Sequence, residues 1–382
     1  MARPSRRVSL QYAALTVGLA AAALAGCSRQ EPARPATAPA VPPPPAAGAL
    51  KVGFIYVGPI GEAGWTFAHD LGRRHIEHTF GDRIRTSFVE RVPEGAPAER
   101  VIRGLVAQGN QLIFATSFGY KDALEAVARD HADVFFEHAT GDRTAANLRV
   151  YKARFYEDAY MAGVAAGRMT RTNRLGFVGS FPIPEVLCNI NAYALGARSV
   201  NPTVTTGVAW VHTEFDPPRE AEAAQTLIDT GADVLLQNTD STAVLQTAEK
   251  NGRYAFGWDS DMSAFAPGAH LASCVVNWGP YYEKAVNDVL GGTSAPAITQ
   301  RGTREGTNAF VRIADVVPAA VKAEIGRRKA GLKDGSFAVF EGPIDDNTGQ
   351  QRLAAGMRAD DAFKRGIAFF VQGVEGRVPG GS

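Results

Sequence analysis

The stretch "FGWDSDMSAFAP", residues 256 to 267, carries two carboxylates one residue apart, Asp259 and Asp261, directly after a short apolar run. Such a pair could bind a metal, perform acid–base chemistry, or accept hydrogen bonds from a polar ligand. A calcium loop needs further spaced oxygens and a glycine turn, and "DSDMSAFAP" has neither. No nucleophile–base arrangement accompanies the acids: the chain has no G-x-S-x-G, no H-E-x-x-H and no P-loop. His69, His75 and His78 fall on one predicted helix without a zinc-like pattern. Ligand acceptors are the favoured reading. The bland alternative is a solvated turn after a strand, which uses the same residue types.

The acids need a framework, and the chain alternates regularly enough to provide one. "KVGFIYV" (51–57), "IRTSFVE" (84–90), "QLIFAT" (111–116) and "DVFFEH" (133–138) read as strands, with helices near Gly64–Phe80, Pro97–Gln108 and Lys121–Asp130 between them. "YEDAYMAGVAAGRMT" (156–170) reads as a small-residue helix, after which the pattern restarts. Strands "RLGFVGS" (174–180), "TTGVAWVH" (205–212), "DVLLQN" (233–238), "YAFGWD" (254–259) and "LASCVVN" (271–277) follow, with helices over Glu185–Ser199, Arg219–Thr230 and Thr242–Asn251. This is an α/β chain of two similar lobes, each a parallel sheet flanked by helices, with a cleft between them. Roughly 330 residues from Leu50 onward also exceed what one core usually serves.

Ligands of such sheets bind beyond the carboxyl ends of the strands. Those positions carry Trp65, then Ser117, Phe118 and Tyr120, then Glu185, Phe215, Asn238, Asp240, the Asp259–Asp261 pair, Asn277 and Trp278. Aromatic faces and acid or amide edges suit a flat, polar, aromatic ligand. The competing readings are bland: Glu185 in the first turn of its helix, Phe118 and Tyr120 in a lobe core, Trp65 as a cap on the core.

The chain ends are different in kind. Arg3, Arg6 and Arg7 precede an apolar stretch too short to favour a membrane span, and small residues lead to Cys27. This reads as an export signal, and "LAGC" resembles the lipobox of bacterial lipoproteins, which implies cleavage before Cys27 and lipid on its sulfur and amino group. Glu31–Ala49 is almost all proline and alanine, an extended tether that can bury no core. The formal net charge is +1 with no basic patch, which argues against nucleic acid as a partner. Cys188 and Cys274 remain in an exported body where a disulfide is permitted, and the sequence leaves open whether they pair or stay as buried thiols.

The body resembles the basic membrane protein family of lipoprotein solute receptors, which includes purine nucleoside receptors of ABC importers. The resemblance rests on the order of "KVGFIYVGPIGEAGWTFAHDLG", "FATSFGYKDAL", "AYMAGVAAGRMTRTNRLGFVGS", "VLLQNTDST", "FGWDSDM" and "FEGPIDDNTG". It implies a two-lobed type I periplasmic-binding fold with the ligand between the lobes. It divides the chain into a signal (1–26), lipidated Cys27 and tether (27–49), a first lobe of 50–153 plus part of about 273–317, a second lobe of 154–272 plus part of about 318–350, and a C-terminal extension, 351–382. The family stacks a purine between two aromatics, which match Trp65 and Phe215 here; it more often has Phe followed by Asn where this chain has Trp65 and Thr66. Its G-x-D-x-D acids, which hold the ribose, match Gly257, Asp259 and Asp261, and Asp261 is expected to be the stronger acceptor. The nucleoside receptors' sugar-holding lysine is replaced by Asn277 and Trp278, which favours a free base such as adenine over a nucleoside. The resemblance implies a monomeric, non-enzymatic receptor without cofactor or metal, held at the periplasmic face of a bacterial membrane and partnered by a permease. An exported nucleoside hydrolase is the enzymatic alternative; a ligand sensor would share the fold.

Overall fold

The computed structural model describes residues 48–380. The signal segment, Cys27 and nearly all of the tether lie outside the described residues. Among the described residues no helix is long and apolar enough to cross a membrane.

The first part of the chain runs β1 (Leu50–Ile55), α1 (Trp65–Phe80), β2 (Ile84–Val89), α2 (Ala96–Ala107), β3 (Leu112–Ala115), α3 (Lys121–Asp130), β4 (Phe135–Ala139) and β5 (Leu148–Ala153). The second runs α4 (Phe155–Met169), β6 (Arg174–Gly179), α5 (Pro184–Arg198), β7 (Thr205–Trp210), α6 (Pro217–Asp229), β8 (Val234–Gln237), α7 (Ala243–Lys250), β9 (Tyr254–Asp259) and β10 (His270–Val276). The chain then returns through α8 (Gly279–Leu290), β11 (Ile298–Arg301), β12 (Asn308–Val311), α9 (Ala319–Asp334), β13 (Ile344–Asp345), β14 (Gln351–Leu353) and α10 (Asp361–Arg365).

One six-stranded sheet has the order β11-β5-β4-β3-β1-β2, all parallel. The other has the order β12-β10-β9-β8-β6-β7, parallel except for β12. The chain therefore crosses between sheets three times: from β5 into α4, from β10 into α8, which packs on α1, and from β11 to β12. Of the segment 273–317, α8 and β11 go to the first lobe, while β12 and the rest of β10 complete the second sheet. The extension is folded: Phe370, Val371 and Val374 are buried, and Val371 N–H donates to Asn191 Oδ1 on α5 at 2.9 Å.

The physical causes are local. β3 and β8 are buried along their whole length, as central strands of a sheet covered on both faces must be. Helix α2 turns Ala98, Ile102 and Leu105 inward at helical spacing. Strand β5, "LRVYKA", is not predicted from the sequence pattern because its apolar residues are interrupted by charge. Tertiary pairing removes that objection: buried Arg149 meets Glu137 of β4 and Asp288 of α8, while Tyr281 donates to Glu137 at 2.7 Å.

Helices α4 and α5 are built from small residues because their backbones nearly touch. A Cβ on Gly163 would stand 2.1 Å from Tyr193 O, and one on Gly196 would stand 2.1 Å from Tyr160 O. Overpacking of this kind typically costs about 1–3 kcal/mol. Gly163→Ala and Gly196→Ala should each destabilise the protein by about that much, visible as a lowered midpoint in denaturant unfolding with the slope unchanged.

Candidate functional site

The carboxyl ends of both sheets face one another, and the residues immediately after the strands assemble the site. A narrow slot is lined by Trp65 after β1, Thr140 after β4, Phe155 at the first crossover, Ser180 after β6, Glu214 after β7, Asn238 and Asp240 after β8, and Trp258 and Asp259 at the end of β9. Glu185 and Asn189, one turn apart on α5, complete it with Ile183 and Val186. Thr140, Phe155, Ile183, Glu185 and Asn189 also line an adjoining chamber of about 340 Å³. Phe118, Lys152, Tyr156, Gln300, Lys364 and Arg365 form much of that chamber's remaining wall.

Four carboxyl groups enter the slot. Burial pushes Glu214 up to about 8, with nearby Glu94 adding to the shift and the Ser117 hydroxyl opposing it. Glu185 rises to about 7 through burial, against a lowering influence from Lys152. Asp240 is held well above the carboxylate range by burial, then by Asp259 and Glu214. Asp259 is raised by burial, then by Glu214 and Glu185. Asp240 Oδ2, Asp259 Oδ1 and Asn189 Oδ1 are buried without a hydrogen-bond partner. Unpartnered buried polar atoms are costly, and a ligand in the slot would complete the bonding of these three. Among the described residues no group of three or more His, Cys, Asp and Glu could hold a metal ion.

Two residues of the slot are strained. Asp259 has φ 63° and Thr140 has φ 58°. A β-branched residue in the left-handed region is a real outlier, and such strain clusters at binding sites. Neighbouring turns are braced from behind. Glu220 accepts hydrogen bonds from Thr239 Oγ1 at 2.9 Å and Ser241 Oγ at 2.6 Å, which clamps the turn carrying Asp240. Asn238 Oδ1 accepts from the Ser180 backbone N–H at 3.1 Å, and Asn238 Nδ2 donates to the Ser180 hydroxyl at 2.8 Å.

Trp65 is a fixed wall. Its Nε1 donates to Thr116 O at 2.5 Å, and its ring meets His69 edge-on at 4.3 Å. Trp278 stacks on His69 at 5.0 Å and meets the Trp65 ring at 83°. Phe155 and Trp258, 5.5 Å apart, supply further aromatic surface in the slot.

The structure thus gathers Trp65, Glu185, Asn238, Asp240 and Asp259 in the slot, with Phe118 on the chamber wall. It does not gather the others. Asp261 points away: it accepts from Ser263 N–H at 3.0 Å and Arg312 Nε at 2.7 Å. Burial raises its pKa, but these two donors more than reverse that and leave it below the usual range. Phe215 is exposed and lines a neighbouring recess with Gly61, Thr66 and Phe265, which shares Asp240 with the slot. Asn277 is exposed at the second crossover, its Oδ1 taking the Gly279 N–H at 3.1 Å, and Trp278 is packed behind Trp65. Tyr120 is in the first lobe's core, donating to Val92 O at 2.7 Å. Cys188 and Cys274 are buried free thiols. Glu214 escaped sequence reasoning although "TEFDP" stands at a strand end, because Phe215 beside it drew the assignment; Thr140, Phe155 and Asn189 gave no signal.

A sequence model of the Bmp family, ABC transporter substrate-binding proteins that are PnrA-like, matches residues 49–329. The chain belongs to this family. Members are substrate-binding components of ABC transporters, which act outside the cytoplasm with a small-molecule ligand and a permease partner. A purine-binding protein of Brucella abortus is 46% identical over 86% of this chain and 94% of its own length. A putative ABC transporter glucose-binding protein of Haloferax volcanii is 35% identical over 86% of this chain and 81% of its own. The fold is also that of a solute-binding protein from Aeropyrum pernix, with a TM-score of 0.65 at 17% identity over 82% of this chain and 95% of that one. A second, from Conexibacter woesei, has a TM-score of 0.61 at 22% identity over 76% and 98%. The two-lobed type I periplasmic-binding fold expected of this Bmp protein is the fold observed.

The lobes are in contact across the slot. Gly64 N–H, in the loop after β1, donates to Ser260 Oγ of the second lobe at 2.8 Å. Gly64 has φ 89°, and a Cβ there would stand 1.9 Å from Asp240 O. A Gly64→Ala variant should therefore fold but fail to close. Small-angle scattering with saturating ligand would check this: the variant should keep the larger radius of gyration of the free protein.

Proposed function

We propose that this chain is the lipid-anchored receptor of an ABC importer for a purine, and that it presents an aminopurine base such as adenine to the carboxyl groups of the slot. The observation that carries this reading is an acceptor-rich lining beside one continuous aromatic surface: Glu185, Glu214, Asp240 and Asp259 with Trp65, Phe155 and Trp258. An ionised carboxylate accepts only, so it matches exocyclic amine and ring N–H donors. A carboxyl that keeps its proton donates to a ring nitrogen while its other oxygen accepts from the adjacent amine. The raised pKa values of Glu185 and Glu214 suit that second pairing. The purine-binding name of the Brucella relative supports the same ligand class. The relatives' names describe binding, which supports a receptor over a hydrolase.

A nucleoside is the second reading, favoured by one observation: the slot holds only about 40 Å³, so a purine extends into the adjoining chamber of about 340 Å³, which has room for a sugar as well. Lys152 and Gln300 on its wall supply polar groups for hydroxyls. Trp278 packs behind Trp65 and does not occupy that chamber, so the smaller ligand is argued from the acids and not from Trp278.

Calorimetry with adenine, adenosine and glucose separates the readings. Adenine should bind tightest; adenosine binding tighter would favour the nucleoside, and glucose alone binding would reject the purine. Trp65→Ala should weaken adenine binding by about 1–3 kcal/mol, and Trp65→Phe should retain most of it. Asp259→Asn should weaken binding about tenfold or more, since a mismatched buried group costs about 1–3 kcal/mol; asparagine tolerates the left-handed backbone, so the change tests the carboxyl group and not the backbone. Asp261→Asn should change affinity less than about twofold, because surface ion pairs contribute little. This reverses the ranking expected from the sequence.

Anchoring is tested separately. Each buried methylene of a lipid chain contributes about 0.8 kcal/mol. Cys27→Ser should move the protein out of the membrane fraction or leave the signal uncleaved, while the purified body still binds adenine. A mutant that is cleaved normally and stays on the membrane would reject the lipid anchor.

A further inference from the structure

Ser117 follows β3 in the first lobe, and its hydroxyl lies between two acids. It is 2.5 Å from Glu94 Oε1 in the same lobe and 3.2 Å from Glu214 Oε2 in the second lobe. The Gly119 backbone N–H also donates to this oxygen, at 3.3 Å. A serine hydroxyl has one hydrogen to give. If both carboxyls are ionised, only one can accept it, and the other faces an oxygen lone pair and a like charge. The Glu94 carboxyl fits against Ser117 because position 119 is a glycine: a Cβ there would lie 2.1 Å from Glu94 Cδ.

We propose that closing the lobes takes up one proton, held between Glu214 and Glu94 through Ser117. The chain of donors then balances. Glu214 O–H donates to Ser117 Oγ, and Ser117 O–H donates to the Glu94 carboxylate. Glu94 stands on the loop between β2 and α2, and Glu214 on the loop between β7 and α6, so opening the lobes breaks the chain and returns the proton.

The surroundings reinforce this. Glu214 faces Glu94, Glu185, Asp240 and Asp259 from four different elements, and the buried Tyr120 phenol lies near both Glu94 and Glu214. His138 Nε2 reaches the Ser117 carbonyl at 2.9 Å; burial lowers its pKa to about 4, so it stays neutral in the window concerned. In the closed form burial and then Glu94 bring Glu214 up to about 8. Once separated, Glu214 returns toward the ordinary range of about 4.3. The closed form has the higher pKa, so closure binds a proton between those limits. Ligand affinity then falls as pH rises through that window, by up to about tenfold per pH unit, and levels off above it.

The proposal rests on the purine reading only through its probe. Adenine binding is measured by calorimetry at pH 7 in two buffers of different ionisation enthalpy, for the wild type and Glu94→Gln. The amide that this substitution introduces donates to Ser117, which frees the serine hydrogen for an ionised Glu214. The variant should take up about one proton fewer and bind adenine more tightly than the wild type at pH 8. Equal proton uptake and equal pH slopes in the two proteins would overturn the proposal. If adenine binds neither protein at any pH, the purine reading fails, and the proton is tested on the free protein. Its radius of gyration by X-ray scattering should shrink between pH 8 and pH 6 in the wild type and change less in Glu94→Gln. The same response in both would overturn the proposal without reference to any ligand.

Discussion

Four carboxyl groups share one desolvated slot, and the electrostatic problem they pose shapes the surrounding structure. Carboxylates out of water and close to one another resist ionisation, and among the described residues no cation acts on Glu214, Asp240 or Asp259. Only Lys152 acts on Glu185 from the chamber side. Buried charge of this kind persists where something else supplies the hydrogen bonds. In a receptor that something is the ligand, aided by protons that the acids retain. The same arrangement makes the empty closed form less favourable than the filled one, which is the condition for ligand-dependent closure.

Rigid backing keeps the acids in place. Glu220 clamps the turn on either side of Asp240, and Asn238 ties the ends of β8 and β6 together. The aromatic wall has the same layered character, with Trp278 and His69 supporting Trp65 from the core side. Between the lobes the contacts are different in kind: three crossovers join them, and Gly64 lets the loop after β1 meet Asp240 without a side chain between them. Glu94 and Ser117 of one lobe meet Glu214 of the other, so the proposed proton is shared only while the lobes are in contact.

The chamber's outer wall comes from beyond the span matched by the family model. Asp361, Lys364 and Arg365 belong to α10, whereas the match ends at residue 329. Lys364 bonds Tyr156 Oη at 3.1 Å, and the Cys188 thiol meets Lys364 O at 3.5 Å, so the extension is fastened to α4 and α5. A segment that reads as an appendage in sequence is thus a wall beside the slot.

Periodicity by itself determined the alternation of strand and helix, the two lobes and the rule that ligand groups follow strand ends. Trp65, Asp240 and Asp259 were legible for that reason, since β1, β8 and β9 are apolar runs that end in turn-forming or acidic residues. Strand β5 was not legible, because Arg149 and Lys152 interrupt its apolar pattern and only the buried partners Glu137 and Asp288 make Arg149 acceptable there. The choice between Asp259 and Asp261 also lay beyond the sequence. Both follow the same strand one residue apart, but a left-handed residue at Asp259 turns the chain, so that Asp259 faces the slot while Asp261 meets Arg312, distant in sequence. Glu214 was displaced in the same way by its neighbour Phe215, which tertiary packing puts in the recess on the other side of Asp240. Local pattern fixes which residues stand at a strand end. Which of them turns inward depends on backbone conformation and on partners from the other lobe, and these exist only once the chain has folded.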